Sequence, residues 1–572
     1  MGFQGPQAFG GYRHVKDVPV AREFGQRPTF LSTSASYYTL EHHSGGQAMA
    51  RSIVTAVCGA ALLALASPAP AQTLVMASSA PITSVDPHYH TFGPNASLDS
   101  HMFEPLIDMD AAQRPIPSLA ESWTLIDPRT WELKLRRGVK FHSGAEFTAE
   151  DVVYTLDRVP RVVNSPGSFA IYTKPIVAVQ VVDPYTIRLQ TAGVYPLLPV
   201  DLTQVFIIPH GIGPDPATED FNNGRHAIGT GPFKFVAYKS GDRIELERFD
   251  DYWSRAPHWQ HVSYRIVPND GARTAALLSG DIGFIENVPT ADVARLRGDK
   301  RMRLAETVSL RLIFLSLDQF RETATPFVSG PNGEKLERNP LRDLRVRQAL
   351  SIAINRAAVV DRIMEGAAIT AGQFLPPGSY SYAPDVPPPA FDAARAKALL
   401  AEAGFPNGFR ITLHGPNDRY VNDAKIIQSV GQMWSRIGVQ TSVEGITWSN
   451  YIARASRQEF SAFLVGWGSS SGESSNPLRA LMATFDPAKG RGAVNRGRYS
   501  NPALDALIDR AVATADDAQR EKLLQQATKL AMDDVALIPL HNQKNIWAMR
   551  SDLTYVPRAD EASRAQDVRP TP

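Results

Sequence analysis

The chain has 572 residues, 43% of them hydrophobic, enough for several cores and more than one compact domain holds. Its 59 Lys and Arg nearly balance its 58 Asp and Glu, giving a net charge of +1 with no basic stripe, which argues against nucleic acid as a partner. A single cysteine excludes an internal disulfide framework.

Residues 1–48 are polar, with scattered Gly, Ser and Tyr, and they precede a segment that reads as a secretion signal. In that segment Arg51 is the positive start, Ile53 to Ala66 the apolar run, and Ala69-Pro70-Ala71 the small-residue cleavage site. The apolar run is shorter than the roughly 20 residues a spanning helix needs. Cys58 lies inside it and is read as filler. Translation is therefore expected to start at Met49, with residues 1–48 a non-native or disordered extension, 49–71 the signal peptide, and cleavage after Ala71.

Thr73 to Ser78 predicts a strand, followed by a loop, Thr83 to His90, around Asp86-Pro87. Thr130 to Leu135 alternates as a half-buried strand. Thr148 reads as a helix N-cap with Asp151 three residues on, and Val152, Val153, Leu156 and Val159 as that helix's apolar face. Ile176 to Gln190 gives two strands around Asp183-Pro184. Gly229-Thr230-Gly231-Pro232-Phe233 opens a hairpin that turns at Ser240-Gly241-Asp242. Arg265 to Pro268 predicts a strand, Gly271 to Ser279 a helix ended by Gly280, and Arg311 to Leu317 a strongly apolar strand. Glu322 to Arg338 is a polar surface loop. Asp343 to Met364 predicts one long helix with a continuous apolar stripe. A Pro-rich loop (376–389) precedes a helix from Asp392 to Ala403, with Gly404 closing it. From Ile411 the chain alternates: strand (411–414), helix (421–437), strand (439–443), helix (448–456), strand (460–467). That rhythm implies parallel strands covered by helices. Helices over 502–513 and 517–532 and a strand over 536–547 complete it.

The order of residue types says more than these patterns. Trp123, Asp127, Trp131-x-Leu133-x-Leu135-Arg136-x-Gly138-Val139-x-Phe141-His142-x-Gly144 and Phe147-Thr148-Ala149-Glu150-Asp151-Val152 closely resemble the signature of bacterial solute-binding proteins of the peptide/nickel (oligopeptide, family 5) class. Gly229 to Phe233, Asp250-Asp251-Tyr252-Trp253, and Leu341 to Arg356 with its Asp343-x-Arg345-Val346-Arg347-Gln348-Ala349-Leu350 core are further landmarks of that class. The resemblance implies an α/β, two-lobed periplasmic binding protein fold of the large peptide-binding type, with an extra subdomain inserted in the first lobe. Lobe I is expected at 72–317, with the insert at about 109–228. Lobe II is expected at 318–530, and 531–572 returns to lobe I. It also implies a monomeric periplasmic receptor that hands a small-molecule or peptide ligand to an ABC permease and its ATPase, without catalysis and without a cofactor.

Open α/β lobes bind ligands beyond the carboxyl ends of their strands. Arg419-Tyr420 follows one such strand: the guanidinium fork suits a carboxylate, and the resemblance gives it the ligand's anion. Phe463 to Trp467 is the second strand. After Trp467 the peptide receptors of this class carry an acid for the ligand amine. Here Gly468, Ser469 and Ser470 stand there instead, and the nearest acid is Glu473. By resemblance, Tyr89 and His90 also approach the cleft. A Ser-rich rim beside a Trp also suits a hydroxylated solute, a sugar or opine-like compound. His88, His90 and His101 keep a metal chelate open, although no HExxH pair or cysteine ligand is present. Gly468-x-Ser470-x-Gly472 formally matches a nucleophile elbow, so a secreted serine hydrolase using Ser470 and His541 is the enzyme alternative.

Overall fold

The computed structural model describes residues 72–469, 471–487 and 491–571, so the extension, the signal segment and Ser470 lie outside the described residues. One mixed sheet of 12 strands organises the rest. Its strands are β1 (Thr73–Ser78), β2 (Phe233–Lys239), β3 (Arg243–Arg248), β4 (His261–Ile266), β5 (Phe284–Ile285), β6 (Met302–Leu317), β7 (Val328–Ser329), β8 (Ala368–Thr370), β9 (Arg410–Pro416), β10 (Gln440–Ile446), β11 (Ala462–Gly468) and β12 (Ile538–Arg550). Their spatial order is β7-β9-β11-β6-β12-β5-β1-β4-β3-β2, with β8 added to β12 and β10 to β9.

The central pair explains the two-lobed shape. β6 and β12 run antiparallel from Met302↔Arg550 to Leu315↔Ile538, with register breaks between Val308 and Leu312 and between Ile313 and Phe314. Extra residues at such breaks bend and twist a ladder. On one side of the pair, β5, β1 and β4 cover cores containing Leu74, Met76, Val262, Phe284 and Trp547. On the other side, Ile313, Leu315, Ile411, Leu413, Ile427 and Trp434 share a second core. The C-terminal residues Leu553, Tyr555, Ala565 and Val568 pack back into the first core, and Trp259 Nε1 donates to the Val568 carbonyl at 2.7 Å.

The inserted subdomain has its own four-stranded antiparallel sheet, in the order 120–127, 130–135, 186–191, 176–183. Phe141, Phe147, Val152, Leu156 and Leu189 fill its core. Each contributes about 1.5–3 kcal/mol by burial, so the insert carries an independent core. Asp151 does cap the helix Ala149–Arg158: its carboxylate accepts the Thr148 backbone N–H at 2.8 Å. The predicted apolar face is narrower than expected. Val153 is 37% exposed, while Arg158 is buried at 3%. Gly229 explains the Gly229-Thr230-Gly231 step, because a Cβ there would stand 2.0 Å from the Met102 carbonyl oxygen. Only glycine lets the two backbones approach so closely.

Three local expectations change and one holds. The helix expected over 343–364 is broken: it runs Leu344–Ile352, and Asn355 caps a restart by accepting the Ala358 N–H before a π-turn at Val359–Ile363. Asn side chains compete for backbone donors in this way and favour caps over helix interiors. The strand expected over 265–268 is β4, ending at Ile266, where Pro268 cannot continue the ladder. The strand expected over 311–317 is the C-terminal half of the 16-residue β6. The parallel arrangement expected of the strands between 411 and 467 holds, since β9 pairs with both β10 and β11 in parallel, while β11 meets β6 antiparallel.

Candidate functional site: the interlobe cleft

Arg419 sits where β9 gives way to a loop. Asp423 shapes that loop by accepting the backbone N–H groups of Arg419 and Tyr420 at 3.0 and 2.9 Å. The next turn is left-handed at Asn422, φ 56°, whose side chain donates to Thr290 Oγ1 at 3.0 Å and the Ile363 carbonyl at 2.8 Å. The Arg419 guanidinium then lies over three rings: Tyr420 at 5.1 Å, Trp448 at 5.5 Å and Phe92 at 5.9 Å. Phe92 comes from the N-terminal loop, so the ring cage is completed across the cleft. Among the described residues, no carboxylate pairs with this guanidinium and no group accepts from it. Burial, then repulsion from Arg311, lowers its pKa from the ordinary arginine range. A desolvated cation without a partner is a ready anion site.

The β11 exit is arranged differently from the expectation. Trp467 is half-buried, and its Nε1 donates to Asn476 Oδ1 at 2.7 Å. Gly468 is exposed and opposite Arg311 in the ladder. Ser469 is buried, its hydroxyl donating to the Glu473 carbonyl at 2.9 Å. Glu473 is 3% exposed, and its carboxylate is taken by the Arg520 guanidinium and the Ser475 hydroxyl. A ligand amine would have to displace Arg520, so Glu473 is corrected here to an intrachain partner. Tyr89 and His90 lie in the half-buried loop before Phe92. Tyr89 offers its carbonyl to Ser165 Oγ at 2.6 Å, and His90 stacks on Phe92 at 5.2 Å. His90 therefore supports the cage from behind.

Two other residues join the site, and no motif pointed to them. Arg311, on β6, makes a two-pronged pair with Glu561, Nε to Oε1 at 2.7 Å and Nη2 to Oε2 at 2.8 Å. The strand register places Arg311 beside Gly468, but Glu561 arrives from a C-terminal segment whose sequence reads as loop. Arg479 Nη1 donates to Tyr195 Oη at 3.3 Å, and Tyr195 in turn donates to Asp201 at 2.6 Å. Burial pushes the Asp201 carboxyl up to about 7.

The histidines considered for a metal have structural roles. His88 Nε2 donates to the Phe206 carbonyl at 2.7 Å, and its Nδ1 accepts from Arg158 at 2.8 Å. His101 Nδ1 donates to the Ser97 carbonyl at 2.9 Å, and its Nε2 accepts the Ala565 N–H at 3.0 Å. Each pattern requires the neutral ring. Burial brings both pKa values down to about 4. Between pH 6.5 and 4 the unfolded chain thus holds a proton that the folded ring refuses, so stability falls on acidification through that window. His101→Gln should be less stable at pH 7.5, having lost the bond to Ala565. Its urea-unfolding free energy should then drop less than wild type's from pH 6.5 to 4, by about 3 kcal/mol over the full window. Equal slopes for the two proteins would refute the neutral-ring assignment. Among the described residues, no group of three or more His, Cys, Asp or Glu is placed to hold a metal ion.

His541 lies fully buried on β12, neither ring nitrogen has a hydrogen-bond partner among the described residues, and burial takes its pKa down to about 3. A general base must reach the proton it removes. The nucleophile elbow also needs a helix straight after its serine, and the chain passes through turn residues at 471–474 before the three-residue helix Ser475–Pro477.

Two lobes on a bent strand pair, with an aromatic-caged cation between them, define a receptor that closes on a solute. Residues 114–488 match the family described as bacterial extracellular solute-binding proteins, family 5 Middle, and the chain belongs to that family. It is 29% identical over 512 residues to the dipeptide-binding protein of Escherichia coli, covering 84% of this chain and 91% of the relative. A glutathione-binding protein of Salmonella choleraesuis is 28% identical over 503 residues, covering 85% and 91%. Among solved structures, a periplasmic binding protein associated with an ABC transporter of Helicobacter pylori, in complex with the peptide STSA, shares the fold with a TM-score of 0.72 at 24% identity, covering 87% of this chain and 98% of that one. The chain is accordingly the substrate-binding component of an ABC importer. No helix among the described residues is long and apolar enough to cross a membrane.

Proposed function

We propose that the protein captures a short peptide or amino-acid derivative bearing a free carboxylate and delivers it to its permease as a monomer, without transforming it. The observation that carries this reading is Arg419: a half-buried guanidinium with no ion-pair partner among the described residues, caged by Tyr420 and Trp448 from one side of the cleft and Phe92 from the other. The relatives named for dipeptide and glutathione, whose ligands carry carboxylates, support the same class. The Ser-rich rim argues less for a hydroxylated solute than its composition suggested, because Ser469 and Ser471 already donate to the Glu473 carbonyl. In this reading the hinge lies in β6 and β12, lobe I covers 72–317 and 531–572, lobe II covers 318–530, and a signal peptide ending at Ala71 sends the protein to the periplasm. Thermal-shift measurements of the purified protein against dipeptides, glutathione, oligosaccharides, opines and nickel–histidine test it. Ligand at 100 times its Kd adds about 2.7 kcal/mol of stability. Shifts with peptides that vanish for their C-terminal amides are expected, whereas shifts with sugars alone would overturn the reading.

A further inference from the structure

We propose that Glu561, carried by the C-terminal segment, is the acid that receives the ligand's ammonium group, a role the Trp467 loop does not fill. This inference rests on the peptide or amino-acid reading above. It begins from an inventory of carboxylates around the cleft. Glu473 is committed to Arg520 and Ser475. Asp423 is committed to the backbone N–H groups of Arg419, Tyr420 and Ala424. Asp201 accepts the Tyr195 hydroxyl, with Arg479 behind it. Glu561 is also held, by Arg311 and Ser309, but it differs in access: its side chain is 34% exposed, and Arg419 lies near enough to act on its charge.

The chain goes to some length to put it there. Residues on both sides of Glu561 are fastened to the strands that join the lobes and to the insert. Asn545 Nδ2 donates to the Arg558 carbonyl at 2.9 Å, Leu310 N–H to the Ala559 carbonyl at 3.2 Å, Ala559 N–H to the Ala111 carbonyl at 3.0 Å, and Tyr555 Oη to the Ala562 carbonyl at 2.7 Å. Between these anchors Glu561 adopts φ +70°, a left-handed conformation that a Cβ-bearing residue without an Asn or Asp side chain rarely takes. Such strain persists where the surroundings over-determine it, and it concentrates at ligand clamps.

Arg311 and Ser309 hold the carboxylate ionised and oriented, Ser309 donating to Oε1 at 3.1 Å. Burial works to raise its pKa, but Arg311 and then Arg419 outweigh that and leave it below the ordinary range. Oε2 accepts a single bond among the described residues, from Arg311, and so keeps a lone pair for another donor. Arg311 pairs with Gly468 at the β11 exit, which sets Glu561 beside the exposed end of that strand. A zwitterion meets each group with its opposite charge, its carboxylate on Arg419 and its ammonium on Glu561. The ligand class is therefore narrowed to peptides or amino-acid derivatives with a free amine.

Calorimetric titration of the purified protein with L-alanyl-L-phenylalanine and with its N-acetyl form tests this. Wild type should prefer the free amine. Glu561→Gln should weaken the free-amine peptide about 10- to 100-fold and change the acetylated one less than about threefold, the size expected for losing one hydrogen bond to a charged group that is partly exposed. Glu561→Gly, which suits the left-handed backbone, should show the same selective loss. Equal loss of both probes would mean that Glu561 acts only by holding Arg311, and no loss would remove it from the site; either overturns the proposal. Wild type binding both probes equally overturns the Glu561 assignment alone, whereas wild type binding neither overturns the peptide reading and this inference together.

Discussion

Arg419→Met is expected to abolish carboxylate-dependent ligand binding while leaving the fold at least as stable. No carboxylate holds the guanidinium at ion-pair distance among the described residues, so its removal forfeits only the longer-range attraction of Glu561 and Asp423. Met is apolar and flexible enough to fill the space among Tyr420, Trp448 and Phe92, and sulfur packs well against rings. The repulsion from Arg311 also disappears. In the bound state the same guanidinium meets a ligand carboxylate in a site closed off from water. Truncating one member of such a pair costs about 2–5 kcal/mol, or roughly 30- to 4,000-fold in Kd. Arg419→Lys keeps the charge but loses the planar fork, so it should fall between wild type and Met. Calorimetry with a dipeptide and its C-terminal amide measures this directly. The amide should bind wild type as poorly as the free acid binds Arg419→Met. Undiminished dipeptide affinity in the Met variant would place the anion elsewhere.

The largest stability effect is expected far from the ligand, at Arg158. Its guanidinium grips Asp86 in a fork, at 2.9 and 2.7 Å, and also donates to His88 at 2.8 Å and to the Pro216 carbonyl at 3.2 Å. Both partners of the ion pair are almost fully buried, at 3% and 0% side-chain exposure. Arg158 belongs to the insert's helix and Asp86 to the N-terminal loop, so this pair pins the insert to that loop. Arg158→Met leaves a carboxylate uncompensated in the interior and should cost about 3–5 kcal/mol. Asp86→Ala combined with Arg158→Met removes both charges and should cost clearly less than the two single changes added together. Urea unfolding of the four proteins completes the cycle. Strict additivity would show that the two side chains contribute independently.

Local signals placed most elements, because turn and cap chemistry acts within a few residues. Thr148 with Asp151, Asp392 before its helix, and the left-handed glycines Gly280, Gly404 and Gly438 mark boundaries that the structure keeps. The reading failed where a local pattern met a competing local donor or a distant partner. Periodicity extends the helix from Asp343 to Met364, yet the Asn355 cap interrupts it. Val153 fits the stripe of its helix, yet the N-terminal loop, through Asp86 and His88, buries Arg158 in its place.

The site divides in the same way. By itself the sequence determined the family, the α/β lobes and the Arg419-Tyr420 loop, because ordered motifs and strand-end chemistry are written in contiguous residues. It could not show that Arg419 is unpaired, since pairing depends on which side chains the fold brings near. Nor could it show that Glu473 is neutralised by Arg520, which lies 47 positions away, or that Glu561 meets Arg311 across 250 positions. Those contacts exist only because the β6–β12 pair joins the lobes and the C-terminal segment is tied across it. Charge complementarity is a property of distances in space, and sequence separation carries no information about them until the chain has folded.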